Sequence, residues 1–124
     1  MTAIRRLLVA AAGLFGLAGV AASAASAHAV ADLRLSTAAD FLLLHAAALA
    51  AVAALGAATG KPRAIADFAG IGLMLGTLVF CGDLVARALL GGGIFPMAAP
   101  AGGFMLMAGW AVLAASAFER VRRQ

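Results

Sequence analysis

Four long apolar runs divide the sequence, and the segments between and around them hold most of its basic residues. The runs span about 7–29, 40–59, 65–90 and 101–118. Each is long enough to cross the hydrocarbon core of a bilayer, which takes about 20 predominantly apolar residues in a helix. Because backbone N–H and C=O groups cannot stay unpaired in lipid, every run is predicted to be helical.

The composition agrees with a protein whose solvent is lipid. Of the 124 residues, 65% are hydrophobic and 11% are charged, whereas a soluble domain carries about 25% charged residues. The sequence therefore predicts a single domain, 1–124, with an all-α fold: an integral membrane four-helix bundle. The net charge of +4 does not indicate nucleic-acid binding, since the basic residues flank apolar runs and form no continuous stripe.

The basic residues also predict an orientation. Seven of the nine fall in three clusters: Arg5 and Arg6; Lys61 and Arg63; Arg120, Arg122 and Arg123. With four crossings all three clusters lie on one side of the membrane, and the positive-inside rule assigns that side to the cytoplasm. We therefore expect a multi-pass protein of the bacterial inner membrane with both termini in the cytoplasm.

A cleavable signal peptide is the rival interpretation of the first run. Arg5 and Arg6, the apolar stretch and the small residues 22–27 resemble a secretory signal with its cleavage site. Removal would leave three spans and would place the two termini on opposite sides of the membrane, against the basic clusters. We therefore favour a first helix that is retained.

Turn-forming residues mark the predicted boundaries. Residues 60–63 read as a polar turn, and the segment 91–96 followed by Pro100 separates the third run from the fourth. The polar stretch 32–40 is expected to be an outer loop that contains Arg34. Thr37 followed by Asp40 predicts a capping box at the start of the second helix.

Four polar residues within or beside the apolar runs are candidates for binding or coupling. Asp83 and Arg87 are four residues apart and share one helix face. They either neutralise each other or bind an anionic or quinone-like headgroup or a charged partner. His28 and His45 are predicted at similar depth in the outer half of the bundle, where all four side chains could converge. The histidines either hydrogen-bond neighbouring helices or ligate a haem.

No catalytic or metal centre is predicted. A zinc site assembled from Cys81, Asp83 and the histidines is disfavoured, because Cys81 and Asp83 point to different sides of a helix. The sequence has no nucleophile–base pair, no glycine-rich phosphate loop and no Cys-x-x-Cys motif. We therefore expect neither an enzyme nor a resident cofactor.

Small residues and the single tryptophan are assigned to helix packing. They are the Gly-x-x-x-Gly pairs Gly56/Gly60 and Gly72/Gly76, together with Gly102, Gly103, Gly109 and Trp110. Faces of this kind let helices approach closely, either within the bundle or against a partner protein.

Four patches of sequence, taken in order, resemble one family. They are 24–29 (AASAHA), Phe41 with 45–49 (HAAAL), 76–83 (GTLVFCGD), and 100–103 (PAGG) with Gly109 and Trp110. Over about 13–115 the chain resembles the YgdD-like family of small bacterial inner-membrane proteins, domain-of-unknown-function family 423. The resemblance implies a four-helix membrane protein of about this length and no established activity. The chain departs from the family pattern at Leu42, Cys81 and Asp83, and Arg87 is unusual for it.

Three functions stay open. The small size, the small-residue faces and the lack of catalytic motifs favour a non-catalytic accessory or scaffolding subunit of a larger membrane complex. Its partners would be the lipid bilayer and either other integral membrane subunits or a second copy of the chain. The alternatives are a haem- or quinone-binding electron-transfer subunit and an oligomeric channel or transporter for small solutes.

Overall fold

Four long α-helices make up the computed structural model, which describes residues 1–60 and 63–119. They are α1 (Ala3–His28), α2 (Leu33–Thr59), α3 (Ala64–Leu90) and α4 (Ala98–Ala115), and a short 3-10 helix, Ser116–Phe118, follows α4. All four are long and apolar enough to cross a membrane. The predicted all-helical, four-helix architecture is therefore confirmed. Four of the flanking cations, Lys61, Arg120, Arg122 and Arg123, lie outside the described residues.

The helices pack mainly on their neighbours in sequence. α1 lies along α2, α3 lies along α4, and the α2–α3 contact joins these two hairpins. Leu8, Leu49 and Leu73 have no exposed surface and mark the core between the first three helices. Below, the proximal end is the end where α1 and α3 begin. The distal end holds the connections 29–32 and 91–97.

The second helix begins earlier than predicted. Its N-cap is Asp32, whose carboxylate accepts a hydrogen bond of 2.8 Å from the backbone N–H of Arg34. Thr37 and Asp40 lie inside the helix, where the Thr37 hydroxyl donates to the Leu33 carbonyl oxygen. The predicted capping box is therefore wrong, because an aspartate further upstream already caps the helix.

The cap at Asp32 is charged. Arg34 also donates side-chain hydrogen bonds to both oxygens of this carboxylate, at 3.1 and 2.9 Å. These bonds hold the pKa of the Asp32 carboxyl below its ordinary value. A carboxylate here also interacts favourably with the positive end of the α2 helix dipole. The connection between α1 and α2 therefore consists of residues 29–32, and most of the expected outer loop 32–40 belongs to α2.

Left-handed backbone conformations end two of the helices. Gly60 and Gly91 follow α2 and α3 with φ of +59° and +76°. A Cβ at Gly60 would meet nothing within 4 Å, so this glycine serves the turn and not the helix packing predicted for it. Met97 precedes α4 with φ of +64°. Pro100, predicted to separate the third and fourth helices, lies in the first turn of α4, where its missing N–H breaks no helical hydrogen bond.

Glycines set the distance between α3 and α4. A Cβ at Gly76 would lie 2.9 Å from the Leu106 backbone nitrogen, and one at Gly102 would lie 2.5 Å from the Phe80 backbone nitrogen. A Cβ at Gly109 would lie 2.9 Å from a Leu73 methyl carbon. The two helices therefore approach too closely for any side chain at these three positions, as in other small-residue interfaces between membrane helices.

Replacing Gly102 by alanine tests this glycine seam. The new Cβ would press on the Phe80 backbone, so we expect a loss of about 1–3 kcal/mol in the free energy of unfolding. Gly103→Ala is the matched control, because its Cβ would first meet a Phe80 ring carbon at 4.0 Å. Unfolding in mixed detergent and sodium dodecyl sulfate, followed by circular dichroism, measures both variants. Equal stability of Gly102→Ala and the parent protein would contradict the packing described.

Candidate functional site

His45 joins the second helix to the fourth. Its ring is 1% exposed, and Nδ1 lies 2.7 Å from the Phe41 carbonyl oxygen, which can only accept a hydrogen bond. Nδ1 therefore carries the proton. Nε2 then accepts from the indole N–H of Trp110 at 3.3 Å. Both ring nitrogens are thus engaged, in an arrangement that only the singly protonated imidazole can make.

Aromatic rings from three helices surround this hydrogen bond. The Phe41 and Phe80 ring centroids are 4.7 Å apart, and the Phe41 ring stacks on His45 at 5.7 Å. The Trp110 ring is tilted against His45 at 5.8 Å. Phe41, Phe80 and Trp110 come from α2, α3 and α4, so the cluster fixes the relative position of these helices near their middle.

An open apolar groove runs between α2 and α4 on both sides of Trp110. Its distal part has a volume of about 440 Å³ and is lined by large side chains that include Leu44, Phe104 and Met107. Its proximal part has a volume of about 590 Å³ and is lined mainly by Ala48, Ala51, Leu55, Leu113, Ser116 and Ala117. Trp110 borders both parts. The His45–Trp110 hydrogen bond therefore crosses a groove that is otherwise open along the helices.

The groove follows from the way α4 is held. Its buried face consists of Ala98, Gly102, Leu106 and Gly109, and the glycine seam commits this face to α3. Within the described residues, α4 makes no comparably extensive contact with α2. The side of α4 that faces α2 is thus left to lipid or to another helix.

Arg63 closes the proximal end of the groove. One of its terminal N–H groups donates to the Ser116 carbonyl oxygen at 3.1 Å. Its Nε lies 4.0 Å from a Glu119 carboxylate oxygen, and the other oxygen of that carboxylate accepts from the Ile65 backbone N–H at 3.1 Å. These contacts tie the end of α4 to the start of α3.

Asp83 and Arg87 form an ion pair with each other, which is the first of the two interpretations given for them from the sequence. Arg87 Nε donates to the Asp83 carboxylate at 2.8 Å, and the Ile94 backbone N–H donates to its second oxygen at 2.9 Å. Asp83 is fully buried. A Cβ at Gly93 would collide with this ion pair. The carboxylate thus anchors the connection between α3 and α4, a use that the sequence did not reveal.

The four polar candidates do not form one cluster. His28 is exposed in the last turn of α1, and in the part of the chain that the structure describes no hydrogen bond or ion pair joins it to the other three. His45 contacts Phe41 and Trp110, whereas Asp83 contacts Arg87 and Ile94. Of the set, the structure brings together Asp83 and Arg87 alone.

A buried ion pair at the proximal end escaped the sequence analysis. Arg5 is 5% exposed, and its Nε donates to the Asp67 carboxylate at 3.1 Å. The guanidinium lies against Gly56, where a Cβ would collide with it. One arginine thus links α1, α3 and α2. One signal in the sequence could have indicated this pair. Asp67 lies in the first turn of a long apolar helix, where a carboxylate requires a nearby cation.

Among the residues outside 61–62 and 120–124, no group of three His, Cys, Asp or Glu side chains is placed to hold a metal ion. Cys81 is buried, and its thiol donates to the Ala38 carbonyl oxygen at 3.6 Å. The thiol therefore belongs to the packing between α3 and α2.

Comparison with known proteins gives one match. The family model described as "Protein of unknown function (DUF423)" matches residues 9–103. This range covers most of α1, all of α2 and α3, and the start of α4. No curated protein and no solved structure matches the chain.

The hydrogen bond across the groove can be tested by a double-mutant cycle. Trp110→Phe removes the donor and keeps an aromatic ring, and His45→Phe removes the acceptor. We expect a coupling free energy of about 0.6 kcal/mol and no more than about 1.7 kcal/mol, the range of interhelical hydrogen bonds in membrane proteins. Unfolding of the four proteins in detergent, followed by circular dichroism, gives this value. A coupling of zero would mean that the two side chains do not interact.

Proposed function

Because the chain belongs to the DUF423 family, to which no function is assigned, we propose its function from its geometry: it is a non-catalytic accessory or scaffolding subunit of a membrane complex. In this proposal it is a multi-pass protein of the bacterial inner membrane. The groove between α2 and α4 accepts a transmembrane helix of another subunit.

The groove is the observation that carries the proposal. In lipid there is no hydrophobic force between helices, so association depends on close packing of small residues and on shape. The alanines and the serine of the proximal part let a helix backbone approach closely. The large side chains of the distal part, Phe104 and Met107, can pack between the side chains of such a helix.

The site chemistry supports binding over electron transfer or transport. Haem ligation by His45 would require the imidazole to give up one of its two hydrogen bonds, to Phe41 or to Trp110. A solute path through a single bundle would need a polar interior, whereas the centre of the bundle is filled by Leu8, Leu49 and Leu73. Both considerations favour the accessory role.

The proposal includes an orientation with both termini in the cytoplasm. The sequence segments 5–6, 61–67 and 119–123 carry seven basic and two acidic residues. The distal connection 91–97 has no charged residue, and the charge of Arg34 is balanced by Asp32. The positive-inside rule assigns the proximal end to the cytoplasm.

Filling the groove should release the partner. Ala51→Leu places a larger side chain in the proximal part, and we expect it to lower the yield of the co-purifying subunit at least several-fold after mild solubilisation. Ala54→Leu is the matched control, because Ala54 is also exposed on α2 but does not line the groove. Both variants should unfold like the parent protein.

Photo-crosslinking from position 51 identifies the occupant directly. A product with the mass of the chain plus another membrane protein supports the proposal. A product of twice the mass of the chain assigns the groove to a second copy, and crosslinks to lipid alone reject a protein occupant. Either of these last two results would overturn the proposed function.

The orientation is tested by cysteine accessibility. A membrane-impermeant maleimide added to spheroplasts should label Ala29→Cys without permeabilisation and Gln124→Cys only after it. The parent protein, whose single cysteine Cys81 is buried, is the control and should stay unlabelled. The opposite pattern would place both termini outside the cytoplasm.

A further inference from the structure

A second cavity, distinct in chemistry from the groove, lies at the proximal end. It has a volume of about 420 Å³, and its walls come from the start of α1, the start of α3, Gly60 and Arg63. One side of it is polar and is lined by Thr2, Arg5, Arg63 and Asp67, whereas Ile4, Phe68 and Ile71 give it an apolar side. A cavity of this size can hold a lipid headgroup or a small molecule.

Arg63 brings spare hydrogen-bond donors to this cavity. Its side chain is 14% exposed, and it donates to the Ser116 carbonyl oxygen through one terminal N–H. Its Nε is buried and lies 4.0 Å from a Glu119 carboxylate oxygen, with which it forms an ion pair. The donors left for an occupant of the cavity are therefore on the terminal nitrogens. A guanidinium offers several N–H donors in a planar fork that matches the oxygens of a phosphate.

The described charged residues at the proximal end sum to one positive charge, which favours an anion; they are Arg5, Arg6, Arg63, Asp67 and Glu119. Arg5 is held at the wall by its ion pair with Asp67, so its position is fixed. Asp67 and Glu119 are the acidic residues in this region, and each faces an arginine. Arg6, which is exposed, adds a further positive charge next to Arg5 in the sequence. Basic pockets between membrane helices at the interface bind anionic lipid headgroups.

The apolar side of the cavity has the character of a lipid surface. The Phe68 side chain is 71% exposed and Ile4 is 44% exposed. In a bilayer these side chains contact acyl chains, because both lie on the outside of a helix with membrane-spanning length. One molecule that places a phosphate against Arg63 and an acyl chain along Phe68 would satisfy both sides of the cavity.

We infer that the proximal cavity is a binding site for an anionic phospholipid, whose phosphate is bound by Arg63 and whose acyl chain packs on Ile4 and Phe68. Arg5 supplies a fixed positive charge beside the headgroup. The site requires neither a partner helix in the α2–α4 groove nor a particular orientation in the membrane.

Native mass spectrometry of the full chain from nanodiscs tests the inference. With equal amounts of phosphatidylglycerol and phosphatidylcholine, the parent protein should retain mainly phosphatidylglycerol. Arg63→Gln should lower this preference about five-fold, which corresponds to about 1 kcal/mol for one arginine at the membrane surface. Arg34→Gln removes an arginine at the distal end, where it pairs with Asp32, and should leave the preference unchanged.

If Arg63→Gln unfolds, two results obtained with the parent protein alone still test the inference. Equal retention of both lipids by the parent protein would reject the site without any variant. Inorganic phosphate in excess should not displace the lipid, whereas displacement would mean that the cavity recognises phosphate alone and would overturn the assignment to a phospholipid. Ala51→Leu should keep the lipid preference, which separates this site from the groove.

Discussion

The close approach of α3 and α4 is the constraint on which the rest of the structure depends. Apolar helix surfaces contact lipid about as favourably as they contact each other, so the two helices associate only where their packing is dense. Gly76, Gly102 and Gly109 give this density by bringing backbone against backbone. The small residues of α4 lie on one face, and that face packs against α3, so α4 has no second small-residue face for close packing against α2. The groove beside α2 is therefore a consequence of the seam beside α3.

Two ion pairs between charged residues of the helices hold elements together. Arg5 with Asp67 links the starts of α1 and α3, and Asp83 with Arg87 secures the connection that leads into α4. An isolated charge in a bilayer is costly, and a partner within hydrogen-bond distance reduces that cost. The ion pairs at both ends thus stabilise the fold, whereas the middle of the groove is held by neutral aromatic groups and one hydrogen bond.

The number and type of the helices followed from the sequence, because long apolar runs in lipid have only one way to satisfy their backbone groups. Helix starts were less predictable. The choice between Asp32 and Thr37 as the cap of α2 depends on a few residues with similar capping preferences. The pair Asp83–Arg87 was accessible because both residues share a helix. Arg5–Asp67 and His45–Trp110 join residues far apart in the chain, and no local pattern reports which helices face each other.

The pairing of neighbours in sequence has a consequence for assembly during synthesis. α1 with α2 and α3 with α4 are two hairpins, each closed by a connection of a few residues. Contacts that are local in sequence form with a small loss of chain entropy. Each hairpin can therefore form as soon as its second helix leaves the ribosome and enters the bilayer. The two hairpins then associate through the α2–α3 contact, and the Arg5–Asp67 ion pair adds a further link between them.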